Sequence, residues 1–283
     1  MYKLEKIALK SKFNKHFIVE YISAILFVML FIHLFQKLGD IIWDYFHIQS
    51  IYIDISITYF IGMVVGSFLW VKLIERQKNP LSRLGFTREN AFKSVVKGLA
   101  LGSVLIVSTI LLNTIFNGVT YKLNDLKSVN FLGFSVLFLY FLFQSTAEEI
   151  YVRGVLLPIV SKKIGLNLGI LFSSVVFSLI HINNSGIGIF ALLNLLLVGI
   201  FLSYVLVYYA NIWVVSMLHF AWNFLQGPIF GFKISGNTVK QSLFTVTTSN
   251  KELNTFGPEG TMAAALVLFI ATIYYYKKCK IHT

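Results

Sequence analysis

Residues 164–232 read IGLNLGILFSSVVFSLIHINNSGIGIFALLNLLLVGIFLSYVLVYYANIWVVSMLHFAWNFLQGPIFGF and contain no Asp, Glu, Lys or Arg. A membrane-spanning helix needs about 20 apolar residues, so these 69 residues have room for three passes. That reading decides the fold class: an all-α, polytopic transmembrane helix bundle. Within the tract the apolar runs are Leu166–Ile182, Ile187–Tyr209 and Asn211–Gln226. Working outward, Phe17–Phe35, Ile55–Ile74, Ala91–Phe116 and a long run from Asn130 to about Val160 precede it, and Gly260–Tyr276 follows. The expectation is about eight spans in a single membrane domain, residues 1–283.

Composition agrees. The chain is 57% hydrophobic and 13% charged, against roughly 45–50% and about 25% in soluble domains. Most apolar residues must therefore face lipid, which excludes a cytosolic enzyme and a disordered chain. The single cysteine, Cys279, rules out an internal disulfide and a thiolate metal cluster. The net charge of +12 belongs to span flanks rather than to a nucleic-acid surface. Five lysines (Lys3, Lys6, Lys10, Lys12, Lys15) precede the first run. Seven basic residues lie between Lys72 and Lys97, Lys162 and Lys163 follow the fourth run, and Lys277, Lys278 and Lys280 form the tail. The alternate loops hold Lys37, Lys122, Lys127, Lys233, Lys240 and Lys251 beside Asp40, Asp44, Asp54 and Asp125. The positive-inside rule then predicts a multi-pass cell-membrane protein with both termini cytoplasmic. The first run is no signal peptide: it is too long, carries Glu20 and lacks a small-residue cleavage site. The polar stretch Gly227–Glu259 reads as an external loop, a connector in preference to a lid.

Carboxylates at mid-membrane cost about 2.5–3.5 kcal/mol each even on lenient insertion scales. Glu148 and Glu149 nevertheless follow the uncharged run Phe131–Phe143. On a helix Glu149 and Arg153 stand at i and i+4 and can pair, whereas Glu148 points about 100° away. One carboxylate has a built-in counter-ion and the other does not. A buried salt bridge that only fixes packing explains the first and leaves the second unexplained. His181 and His219 are the histidines of the uncharged tract, and Asn223 shares a helical face with His219. His16, His33, His47 and His282 fall at termini or run ends and read as packing or surface residues. Residues 162–167 are the sole turn signal between Glu148 and His181 and lie at their midpoint. A hairpin there sets both at one depth, each about 22 Å from the turn, with Pro158 kinking its first arm. A carboxylate and an imidazole at one depth are the parts that activate a water molecule, and His219 with Asn223 can supply donors to an oxyanion.

Glu148-Glu149-x-x-x-Arg153-Gly154, Phe177-x-x-x-His181 and His219-x-x-x-Asn223, in this order on separate apolar runs, resemble the CPBP (Abi) family of intramembrane endopeptidases. That family includes the Ras-converting CAAX endopeptidase and bacterial proteins linked to bacteriocin self-immunity. Leu84-Gly85-Phe86-Thr87 is also similar to a stretch of these proteins. The motif-bearing region is about residues 140–225. The resemblance implies that Glu148 activates water with His181, that Glu149 and Arg153 support the site, and that His219 and Asn223 stabilise the oxyanion. It implies a peptide or lipidated-protein substrate in a lipid bilayer, and no nucleic acid. Both metal-dependent and glutamate-type chemistry are described for the family. The expectation here is no cofactor, with a zinc set of His181, His219 and Glu148 as the open alternative. Two rivals remain: a non-catalytic immunity or regulatory protein that binds a partner, and a proton-coupled transporter. Transporters show repeat symmetry in both halves, whereas here the intramembrane groups crowd the second half.

Overall fold

The computed structural model describes residues 17–46, 56–125, 127 and 129–281. Lys3, Lys6, Lys10, Lys12, Lys15, His16, His47, Asp54, Ile55 and His282 lie outside the described residues.

The chain is a helical bundle. Helix α1 is Phe17–Phe46; α2 is Ser56–Leu69, continued as a π-helix over Trp70–Ile74; α3 is the short Pro80–Arg83; and α4 is Ala91–Asn117. Strand β1 (Thr120–Leu123) leads to α5, Phe131–Glu149, which runs through a π-helix at Ile150–Leu156 into α6, Leu157–Ile164. Then come α7 (Leu166–Leu179), α8 (Ile189–Tyr209) and α9 (Ile212–Phe224), the last continued as a π-helix over Leu225–Ile229. Strand β2 (Phe244–Thr247), the single turn α10 (Lys251–Thr255), a 3₁₀ turn at Pro258–Gly260 and α11 (Met262–Ile281) complete the chain. Each of the eight expected apolar runs contains a helix. Six helices among the described residues are long and apolar enough to cross a membrane. The other two expected runs fall on α7, which has 14 residues, and on α9, and neither is among those six. The protein is a multi-pass membrane protein.

Asparagine caps open several elements. Asn130 Oδ1 accepts the Gly133 N–H at 3.1 Å, Asn211 Oδ1 the Trp213 N–H at 3.1 Å and Asn250 Oδ1 the Leu253 N–H at 3.0 Å. Helix α9 is the centre, packed against α4 and α5. On α4 the glycines Gly98 and Gly102 permit this: a Cβ on either would overlap the Val214 or Leu218 carbonyl oxygen. Small residues four apart are how helices approach closely in a membrane. The Leu84-Gly85-Phe86 turn docks the start of α9: the Ile212 N–H donates to the Gly85 carbonyl at 3.0 Å, and the Phe86 and Trp213 rings meet at 4.9 Å.

The hairpin expected at residues 162–167 is present, with Gly165 (φ +97°) between α6 and α7, which pack together. Pro158 acts differently from a simple kink. Lacking an N–H, it cannot supply the α-helical donor to the Gly154 carbonyl four residues back. The widened π-turn precedes it, and Arg83 Nη1 donates to that carbonyl at 2.8 Å. At the same end Arg83 Nη2 pairs with Glu75 at 2.7 Å and Lys163 with Glu20 at 3.6 Å. The basic groups near residues 83 and 163 thus gather at one end of the bundle. At the opposite end β1 and β2 pair antiparallel, Thr120 opposite Thr247 and Leu123 opposite Phe244.

Candidate active site

Glu148, His181, His219 and Asn223 all line one cavity of about 480 Å³ at the end of the bundle remote from the α6–α7 turn. Glu149 and Arg153 lie behind it, fully buried and outside the lining. The six residues expected to act together are therefore gathered, in two layers.

The rear layer is an ionic clamp. Glu149 Oε1 accepts from Arg153 Nη1 at 3.1 Å and from His219 Nδ1 at 3.0 Å. Arg153 Nη2 donates to the Gly199 carbonyl at 3.1 Å, and the guanidinium carbon lies 4.3 Å from the centre of the Phe177 ring. This ties α5, its π-segment, α7, α8 and α9 to one cation. Cation–π contact and carbonyl donation offset the cost of removing that charge from water.

The front layer faces the cavity. Gln144 Nε2 donates to Glu148 Oε1, and Gln144 Oε1 accepts from Asn223 Nδ2 at 3.0 Å. The other oxygen, Glu148 Oε2, is buried with no hydrogen-bond partner and lies 4.0 Å from His219 Nε2. Glu149 Oε2 is also unpartnered, but away from the cavity. Tautomers follow from the partners. A carbonyl only accepts, so His181 Nδ1, 2.8 Å from the Phe177 carbonyl oxygen, carries a proton and leaves Nε2 as a bare acceptor. His219 Nδ1 likewise donates to Glu149, so this ring offers a second donor, at Nε2, only as an imidazolium.

Two expectations change here. His181 does not sit on a span Leu166–Ile182: α7 ends at Leu179 and His181 lies in the turn beyond it. The Phe177 carbonyl holds its ring. Gly227–Glu259 is more than a connector, because Ile234, Ser235, Asn237, Thr238, Val239, Lys240 and Glu259 wall the cavity. His33 does not line it.

Sequence reasoning missed Gln144, although its signal was available: it stands one helical turn before Glu148, on the same face. It also missed Glu259, which is 5% exposed. Burial pushes the Glu259 carboxyl up, while the Ser235 hydrogen bond, His181 and His219 pull it the other way. As for a metal, among the described residues no three His, Cys, Asp or Glu side chains gather as a group that could hold one. As placed, His181, His219 and Glu148 do not come together as a zinc set.

No curated protein matches the chain. A family model does match, over residues 130–225, the segment that supplies Gln144, Glu148, Glu149, Arg153, His181, His219 and Asn223. This chain thus carries, on one cavity of a multi-pass membrane bundle, the segment that matches the type II CAAX prenyl endopeptidase (Rce1-like) family.

Proposed function

We propose that the protein is an intramembrane endopeptidase that hydrolyses a peptide bond near the end of a membrane-associated or lipidated peptide. The observation that carries this reading is Glu148 on the wall of a cavity that His181 and His219 also line, its Oε2 buried without a hydrogen-bond partner and 4.0 Å from His219 Nε2. A buried acceptor without a donor costs on the order of 1–3 kcal/mol; Glu149 Oε2 bears the same cost inside the clamp with Arg153 and His219, whereas Glu148 stands outside that clamp and lines the cavity.

Water held between Glu148 Oε2 and His181 Nε2 donates one hydrogen to each. Glu148 takes the first proton as the water oxygen bonds to the scissile carbonyl carbon. His219, as an imidazolium, and the second N–H of Asn223 stabilise the oxygen that becomes negative. The C–N bond then breaks, and the proton on Glu148 passes to the leaving amine. Glu149 and Arg153 hold His219 and the α5 backbone in place.

The apolar lining, including Tyr59, Phe60, Phe141 and Leu202, suits a lipid chain or apolar side chains next to the cleaved bond. The basic end of the bundle faces the cytoplasm under the positive-inside rule. The cavity mouth, walled by residues 234–240, then faces outward, which accords with processing of an exported peptide and with bacteriocin self-immunity. Incubation of the purified protein with a farnesylated peptide ending in Cys and three further residues, and with its unmodified form, tests the reading. Cleavage by the wild type and none by Glu148→Gln is expected. No cleavage of either peptide would overturn it.

A further inference from the structure

The cavity holds one carboxylate that the mechanism above leaves unused, and it lies outside the matched segment. Glu259 precedes α11 and is built in firmly. Its Oε1 accepts the Ser235 N–H, and its own carbonyl accepts from Asn194 Nδ2 at 2.9 Å. Asn194 Nδ2 also donates to the Thr261 carbonyl at 3.0 Å. The side chain lines the same cavity as His181 and lies within electrostatic reach of it.

The turn that carries His181 is pressed against the same loop. Gly186 (φ +71°) leaves no room for a side chain against the Thr255 carbonyl. Gly236 (φ +83°) does the same against the Ser185 carbonyl, and its N–H donates to the Phe256 carbonyl at 2.9 Å. His181 and Glu259 therefore belong to one clamped unit, although they stand 78 positions apart in the sequence.

We infer that Glu259 is a positioning residue of the hydrolytic site, its carboxylate sharing the cavity with His181 and favouring the imidazolium that forms when His181 takes the second proton of the attacking water. The inference rests on the reading under Proposed function, and the protons balance. Water carries two. The first reaches the leaving nitrogen through Glu148. The second leaves the newly formed carboxylic acid, passes to His181 Nε2 and then to the amine, so the products are a carboxylate and an ammonium. His181 Nδ1 stays bonded to the Phe177 carbonyl throughout, so His181 becomes a cation in transit. A carboxylate on the same cavity lowers the cost of that cation in a site largely screened from water.

Glu259→Gln keeps the shape and an acceptor for the Ser235 N–H while removing the charge. With the farnesylated peptide, purified Glu259→Gln should show kcat reduced tenfold or more, with KM and melting temperature unchanged. Glu259→Ala opens space, and 100 mM sodium formate, compared with sodium chloride at equal ionic strength, should restore part of its kcat. A wild-type kcat in Glu259→Gln would overturn the inference while leaving the endopeptidase reading intact. So would a loss that tracks melting temperature and that formate does not relieve, because that marks a loop clamp alone. A wild-type protein that cleaves nothing overturns the endopeptidase reading and this inference with it.

Discussion

His219 on α9 reaches Glu149 on α5 through Nδ1 at 3.0 Å, on the same carboxylate oxygen that Arg153 occupies at 3.1 Å. One oxygen therefore joins two helices and a buried cation, and the adjacent Glu148 takes no part in the clamp. Their substitutions should differ in kind. Glu149→Ala strands Arg153 and should cost about 3–5 kcal/mol, the usual penalty for breaking a buried pair. Glu148→Gln keeps an oxygen for Gln144 and should melt within a degree of wild type. Thermal melts of the detergent-solubilised proteins check this, and equal losses in the two variants would contradict the division into two layers.

Helix α4 holds α9 in register through Gly98 and Gly102. Gly102→Val must push α4 off the Leu218 carbonyl and with it disturb His219, one residue on. The expected loss is about 1–3 kcal/mol, the usual cost of overpacking, with a fall in activity. Gly188→Ala, where an added Cβ meets nothing within 4 Å, is the control and should behave as wild type. Circular-dichroism melts paired with activity assays distinguish the two.

What the sequence revealed and what it concealed follow from locality. Glu149–Arg153 and the Gly165 hairpin depend on spacing along one or two adjacent helices, and helical period alone predicts them. Gly98-x-x-x-Gly102 and Gln144 were equally local. They were legible in principle, but they look like ordinary helix residues until a partner helix is known. The end of α7 before His181 was hidden because Ile180 and Ile182 continue the apolar pattern through a turn. Glu259 was hidden for a deeper reason. Its partners lie at Ser235 and Asn194, so its burial depends on how a long polar segment folds back, and no periodicity records that.

The bundle should sit with its basic end inside. Thr238 is exposed and lines the cavity mouth. In a Cys279→Ser background, Thr238→Cys should react with a membrane-impermeant maleimide on intact cells. Labelling only after permeabilisation would reverse the orientation and direct the cavity to cytoplasmic substrates.

Turnover should also be indifferent to chelation. After dialysis against 1,10-phenanthroline the rate should stay within about twofold of the untreated protein, with no gain on adding zinc. Loss of activity that zinc restores would mean that His181, His219 and Glu148 close around a metal during turnover.

The central claim is that water attacks the peptide bond under the control of Glu148. Cleavage of the farnesylated peptide in water enriched in ¹⁸O, read by mass spectrometry, tests it most directly. The account predicts one heavy oxygen in the new carboxylate of the wild-type product after a single turnover, and no product from Glu148→Gln. Product from Glu148→Gln at the wild-type rate, or wild-type product without heavy oxygen, would contradict it.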